Sequence, residues 1–179
     1  MLAIYYLLNL AYSFYFKEVV LLDVIILAGL YTMRIMAGSA SVVIWPSSWL
    51  LAFSTFIFLS LALVKRYAEL VIMSAASGKV RVRGYEVIDK ELLASLGCGS
   101  GYVAVLVLAL YISSGKAEIL YTRHQLIWLL CPLLLYWISY VWLIAHRGAM
   151  HDDPLVFTLK DRASRITLFL AGVVLVLAM

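Results

Sequence analysis

Residues 20–40 read VLLDVIILAGLYTMRIMAGSA, a stretch long enough to cross a membrane as one helix. A helical crossing needs about 20 apolar residues, because the hydrocarbon core is about 30 Å thick. This stretch is apolar on every side, which is typical of a buried or membrane-spanning helix. It nevertheless contains Asp23 and Arg34. Because charges within hydrocarbon are costly, we expect these two side chains to have a ligand or a fixed partner.

Five further apolar stretches accompany this one, at 2–14, 47–64, 101–114, 125–146 and 166–179. None alternates polar and apolar residues as the strands of a membrane β-barrel do. The chain of 179 residues is 65% hydrophobic and 13% charged, whereas soluble domains are about half apolar and about a quarter charged. The sequence therefore predicts an all-α, polytopic transmembrane bundle of about six helices, forming a single domain over residues 1–179.

The basic residues are distributed asymmetrically. Loops 15–19, 65–100 and 147–165 hold eleven of the fourteen Lys and Arg residues. Basic residues concentrate in cytoplasmic loops, so we expect these three loops to be cytoplasmic in a protein of the cytoplasmic membrane. The positive balance reflects this topology, and we expect membrane lipid rather than nucleic acid as its partner. The sequence shows no cleavable signal peptide, and Cys98 and Cys131 have the surroundings of ordinary buried thiols.

The loop 65–100 is predicted to contain two short helices at the membrane interface, over 66–77 and 90–96. Gly97, Gly99 and Gly101 are predicted to end the loop before the next crossing. Such a loop could cap a cytoplasmic cavity.

Polar residues that could bind a substrate lie at the predicted cytoplasmic ends of the helices. Lys17 and Asp23 are either interfacial anchors, or Lys17 and Tyr12 hold a phosphate while Asp23 binds a cation or a substrate hydroxyl. Lys65 and Arg66 are either basic anchors or a second phosphate grip, and Lys65 is spaced to pair weakly with Glu69.

Arg34 lies about 16 Å beyond Asp23 along a helix, too far for a direct pair. It needs a carbonyl, another acid or a bound anion as its acceptor, or it ties helices together. The candidate substrate-binding residues are thus Tyr12, Lys17, Asp23, Arg34, Lys65, Arg66, Glu69 and Arg162.

A second polar cluster, HDDPLVFTLKDR, occupies residues 151–162. Asp152, Asp153 and Asp161 are candidate ligands for Mg²⁺, which prefers oxygen donors. The alternative is a solvated loop in which Asp161 begins the last helix.

Four segments of this chain together resemble the UbiA superfamily of membrane prenyltransferases. The likeness is strongest to the branch that contains decaprenyl-phosphate phosphoribosyltransferase. The segments occur in order along the chain: AYSFYFKEVVLLDVIILAGLYTMRIMAG (11–38), KRYAEL (65–70), RGYEVIDKELLASLG (83–97) and HDDPLVFTLKDRAS (151–164).

The resemblance implies a nine-helix fold whose cytoplasm-facing cavity is open to lipid. It implies a Mg²⁺-held diphosphate whose departure leaves an electron-poor carbon. In prenyl transfer that carbon belongs to an isoprenyl diphosphate and is attacked by an aromatic or other acceptor. In phosphoribosyl transfer it belongs to phosphoribosyl diphosphate and is attacked by a polyprenyl phosphate.

The family's first aspartate motif, N-D-x-x-D-x-x-x-D, is absent from this sequence. Six crossings in place of nine predict that the chain corresponds to the C-terminal two-thirds of such an enzyme. We expect it to be inactive alone, and to need a missing N-terminal segment or a partner chain. A non-catalytic membrane subunit and a transporter fragment are the alternative functions.

Overall fold

The computed structural model describes residues 2–41, 46–77, 83–150 and 153–179. Within these ranges the chain forms eight α-helices and three short 3-10 turns, and it contains no strand. The helices are α1 (Leu2–Phe14), α2 (Leu22–Ser41), α3 (Ser48–Ser77), α4 (Lys90–Ser113), α5 (Gly115–Leu120), α6 (Leu130–His146), α7 (Pro154–Lys160) and α8 (Arg162–Ala178).

Four segments of the described chain are long and apolar enough to cross a membrane: Leu22–Ala40, Ser48–Ser74, Val87–Ser113 and His124–His146. The predicted stretches 2–14 and 166–179 also lie in helices, but α1 and α8 have only 13 and 17 residues. The prediction of an all-α membrane bundle is confirmed.

The segment 65–100 is largely helical, and its two predicted short helices are parts of the long helices α3 and α4. Residues 66–77 continue α3 as one helix of 30 residues, and residues 90–96 form the beginning of α4. Gly97, Gly99 and Gly101 lie inside α4 and do not end a loop. The prediction that they end a loop is wrong. In a sequence, glycine signals either a turn or a close helix contact, and here Gly97 and Gly101 lie where α4 packs closely against its neighbours.

The core centres on the contact between α3, α4 and α6. Trp142 Nε1 donates to Ser60 Oγ at 3.1 Å, and Ser60 Oγ donates to the carbonyl of Gly97 at 2.7 Å. A Cβ atom at Gly97 would lie 2.0 Å from the Trp142 ring, and one at Gly101 would lie 2.6 Å from Ile138. These two glycines therefore allow the close approach of the three helices.

Candidate functional site

A fully buried ion pair joins α2 to α3. Arg66 Nε lies 2.5 Å from Asp23 Oδ2, and the side chains are 1% and 0% exposed. Asp23 Oδ1 accepts a further hydrogen bond of 2.6 Å from the hydroxyl of Tyr85. Both carboxylate oxygens thus have protein donors, which is how a buried charge is tolerated.

The other nitrogens of Arg66 extend this pair into a network. Nη1 donates to Glu69 Oε2 at 2.6 Å, one helical turn further along α3. Nη2 donates to the hydroxyl of Tyr12 at 3.2 Å, which brings the end of α1 into the same cluster. The predicted pair of Lys65 with Glu69 is wrong, because Glu69 is bonded to Arg66 and Lys65 turns toward a different carboxylate.

The segment 83–86 lies directly against the beginning of α2. Leu21 has a left-handed backbone (φ 65°), and its N–H donates to the hydroxyl of Tyr85 at 2.8 Å. Gly84 also has positive φ, and a Cβ atom there would lie 2.9 Å from the carbonyl oxygen of Glu18. Burial and the hydrogen bond to Asp23 raise the pKa of Tyr85, so its hydroxyl stays protonated and keeps donating to the carboxylate.

A polar pocket of about 510 Å³ opens beside this contact, lined by Lys17, Glu18, Arg83 and Gly84. Arg83 also reaches the hydroxyl of Tyr12, 3.4 Å from its Nη1. Two cations against one carboxylate give the pocket a net positive character. Sequence reasoning did not select Arg83 as a site residue, although it opens one of the four segments that carry the family resemblance.

The structure therefore brings five of the eight predicted substrate-binding residues into one cluster: Tyr12, Lys17, Asp23, Arg66 and Glu69. Lys65 is next to Arg66 on α3, but its side chain turns to Asp153, with Nζ 2.5 Å from Oδ2. Arg34 contacts Tyr5 instead, and Arg162 is an exposed residue at the start of α8.

Asp153 and Asp161, two of the three predicted metal ligands, serve as helix caps. Asp153 accepts from the N–H of Leu155 at the start of α7. Asp161 accepts from the N–H of Ser164 at the start of α8, and from the hydroxyl of Tyr140 at 3.2 Å. Asp152 lies outside the described residues, and the described part of the chain holds no group of three side chains suited to a metal. Each oxygen of Asp153 and Asp161 accepts a hydrogen bond within the protein, and their binding of Mg²⁺ stays a prediction.

Fold and site together define an all-α membrane protein with a buried ionic network and a basic pocket at one end of its helices. No protein-family profile matches the chain. It is 36% identical over 167 residues to the uncharacterized protein y4nM of Sinorhizobium fredii, a match that covers 90% of this chain and 32% of that protein.

Two further relatives have more informative names. The nodulation protein NoeC of Azorhizobium caulinodans is 34% identical over 151 residues, which are 81% of this chain and 48% of that protein. The decaprenyl-phosphate phosphoribosyltransferase of Mycolicibacterium smegmatis is 28% identical over 176 residues, 96% of this chain and 55% of that enzyme. The chain thus spans between about a third and just over half of the length of these relatives.

Proposed function

We propose that this chain is, or contributes to, a membrane transferase that binds the phosphate group of a polyprenyl phosphate. The distant similarity to a decaprenyl-phosphate phosphoribosyltransferase and the four apolar helices support a membrane transferase in general. Between prenyl transfer and phosphoribosyl transfer to a polyprenyl phosphate, the name of that relative favours the second.

The basic pocket lined by Lys17 and Arg83 is the observation that carries this proposal. Cationic side chains form charge-assisted hydrogen bonds to phosphate oxygens, and Arg presents several donors in one plane. The pocket adjoins the start of α2, where the apolar side chains of residues 19–22 are all exposed. A basic pocket next to an exposed apolar surface suits a molecule with a phosphate at one end and a hydrocarbon chain at the other.

In this proposal the buried network holds the pocket in shape. The pair of Asp23 with Arg66 fixes the start of α2 against α3, and Tyr85 holds the segment that carries Arg83. Tyr12 links the two parts, because its hydroxyl is within reach of both Arg66 and Arg83. Lys17 and Arg83 would bind the phosphate, and the network would position them.

Magnesium remains a prediction from the family resemblance. In the resembling enzymes it would neutralise a departing diphosphate, and in this chain Asp153 and Asp161 cap α7 and α8. Phosphate binding by Lys17 and Arg83, as proposed, does not require the metal.

Binding of a polyprenyl phosphate tests the proposal directly. The chain in lipid nanodiscs would be titrated with decaprenyl phosphate and, separately, with decaprenol, and complexes would be counted by native mass spectrometry. We expect the phosphate to bind, and Lys17→Gln or Arg83→Gln to weaken its affinity by about tenfold, the effect of removing one charge-assisted hydrogen bond. Arg123→Gln, at an exposed basic residue outside the pocket, is the matched control.

Because the chain alone is expected to be inactive, transfer is measured after it is joined to the N-terminal part of the decaprenyl-phosphate phosphoribosyltransferase that precedes the matched region. Radiolabelled phosphoribosyl diphosphate is supplied, and label is followed into the lipid fraction. Equal affinity for decaprenyl phosphate and decaprenol, or an affinity that both pocket variants leave unchanged, would contradict the proposal. Label transferred from a prenyl diphosphate to an acceptor, and not from phosphoribosyl diphosphate, would select the other branch of the chemistry.

A further inference from the structure

Arg34 lies deep within a membrane span. It follows Leu22 by twelve residues, which is about 18 Å along the axis of α2. The span Leu22–Ala40 has its centre at Tyr31, one turn before Arg34. The guanidinium carbon lies 5.1 Å from the centre of the Tyr31 ring. The charge is therefore near the middle of the hydrocarbon core.

The side chain is held in this position by two tyrosines. Its Nε donates to the hydroxyl of Tyr5 on α1 at 2.8 Å. Tyr31 is fixed in turn by stacking on Phe58 of α3, with ring centres 5.2 Å apart. The guanidinium lies against the ring of Tyr31, one turn closer to the N-terminus of α2. Side chains of a helix normally lean in this direction. The guanidinium thus points away from Ser41, the nearer end of the helix, and does not extend to that membrane surface.

The charge of Arg34 has no counter-ion in the described part of the chain. Its side chain is exposed, and its two terminal nitrogens donate to none of the described residues. The neighbouring hydroxyl and rings are uncharged, and their hydrogen bond and cation–π contacts offset only part of the cost of a cation in hydrocarbon. The planar edge formed by the two terminal nitrogens matches a carboxylate, which Arg binds through two parallel hydrogen bonds.

Other anions fit this position poorly. A phosphate bound by Lys17 would lie near Asp23, at the opposite end of the span, about 16 Å from Arg34 along the axis. A second copy of the chain offers no carboxylate at this depth among its described residues. Glu69 lies one turn from Arg66, which pairs with Asp23 at the opposite end of the span, and the other described acidic residues lie in loops, in short helices or in the first turns of helices. The acid must come from elsewhere in the membrane.

We propose that Arg34 is a docking point for a transmembrane helix, outside this 179-residue sequence, that carries Asp or Glu near its midpoint. The tyrosine contacts hold the guanidinium ready for that carboxylate, so little side-chain entropy is lost on binding. The docked helix would also cover the exposed side of Arg34. This inference is independent of the proposed transferase function.

Synthetic transmembrane peptides provide the test. A Leu/Ala-rich helix of membrane-spanning length would carry Glu at its midpoint, Gln at its midpoint, or Glu near one end. The labelled full chain and each labelled peptide would be reconstituted in lipid vesicles, and association would be measured by energy transfer as a function of peptide-to-lipid ratio. We expect the midpoint Glu peptide to bind about tenfold more tightly than the midpoint Gln peptide.

Variants of the chain connect that preference to Arg34. Arg34→Gln should abolish the preference for Glu over Gln, and Arg34→Lys should retain part of it, because lysine keeps the charge and loses the planar geometry. Tyr5→Phe removes the acceptor of the Nε hydrogen bond, so the guanidinium is held less firmly and the preference for Glu over Gln should fall. This variant keeps the test valid if Arg34→Gln folds poorly. Arg123→Gln should leave it unchanged. Equal binding of the two midpoint peptides, or a preference that survives Arg34→Gln, would overturn the proposal.

Discussion

Among individual residues, the pair of Asp23 and Arg66 decides how the polar end of the bundle is built. Removing Arg66 leaves the buried Asp23 carboxylate with the neutral Tyr85 hydroxyl alone. Removing Asp23 leaves the buried Arg66 with the partly exposed Glu69 and with Tyr12. Asp23→Leu or Arg66→Leu alone should therefore lower the free energy of unfolding by about 3–5 kcal/mol. The double variant should lose clearly less than the sum of the two, because neither charge is then left unpaired.

A double-mutant cycle, read from chemical denaturation in mild detergent, measures this coupling. Additive effects of the two substitutions would show that the ion pair contributes nothing specific. Lys65→Leu is a useful comparison, since Lys65 and Asp153 are both about one-third exposed and an exposed pair contributes at most about 1 kcal/mol.

Tyr85, in the segment 83–86, donates a hydrogen bond to the same Asp23 carboxylate. Tyr85→Phe removes a donor to the buried Asp23 carboxylate and the acceptor of the partly buried Leu21 N–H. We expect a loss of about 1–3 kcal/mol of stability. Tyr102→Phe removes an exposed hydroxyl that bonds Ser139, and it should have little effect. Similar melting temperatures for the two variants would contradict the role given to Tyr85.

Among the helices, α4 offers a matched pair of glycines. Gly97 faces the ring of Trp142, while a Cβ atom at Gly99 would meet nothing within 4 Å. Gly97→Ala should separate α4 from α6 and destabilise the protein, by about 1–3 kcal/mol for overpacking. Gly99→Ala should instead be neutral or stabilise by up to about 1 kcal/mol, because alanine favours a helix interior. Thermal unfolding of the two variants should move in opposite directions, and a fall of equal size in both would refute the packing argument.

These glycines also show where sequence reasoning reached its limit. Hydropathy located the helices of the bundle, because a membrane crossing imposes a long apolar run that no other segment imitates. The ends of α3 and α4 were harder to place, since both helices extend beyond the apolar core and carry polar residues there. Whether a glycine ends a helix or admits a neighbouring one depends on Trp142, which is 45 residues away from Gly97.

For the molecule as a whole, topology predicted which polar residues share one end, but not which of them pair. Asp23 bonds to Arg66 and to Tyr85, which lie 43 and 62 residues further along the chain. Lys65 bonds to Asp153, 88 residues further along. Such pairing depends on helix rotation and packing, which composition does not encode. The sequence offered Asp161 as either a metal ligand or the start of the last helix, and it caps α8. Asp153 caps α7, a role that the sequence analysis did not predict.

The orientation in the membrane is the prediction that concerns every part of the chain. Contacts between Tyr12, Asp23, Arg66 and Tyr85 place the start of α2 and the segment 83–86 at one end. At the other end, Thr122 donates to the carbonyl of Met179, and α3 begins at Ser48, about 27 Å along the axis from Arg66. The excess of basic residues predicts that the first end is cytoplasmic.

Single cysteines test this orientation once Cys98 and Cys131 are replaced by alanine. Glu118→Cys should react with a membrane-impermeant maleimide in intact cells, because it lies in an exposed segment on the side with few basic residues. Glu18→Cys should react only after the membrane is opened, since Glu18 lines the basic pocket and that pocket is predicted to face the cytoplasm. Reaction of Glu18→Cys in intact cells with protection of Glu118→Cys would invert the topology. The basic pocket would then face away from the cytoplasm, where a phosphorylated donor such as phosphoribosyl diphosphate is made, and the proposed transfer would lose its substrate supply.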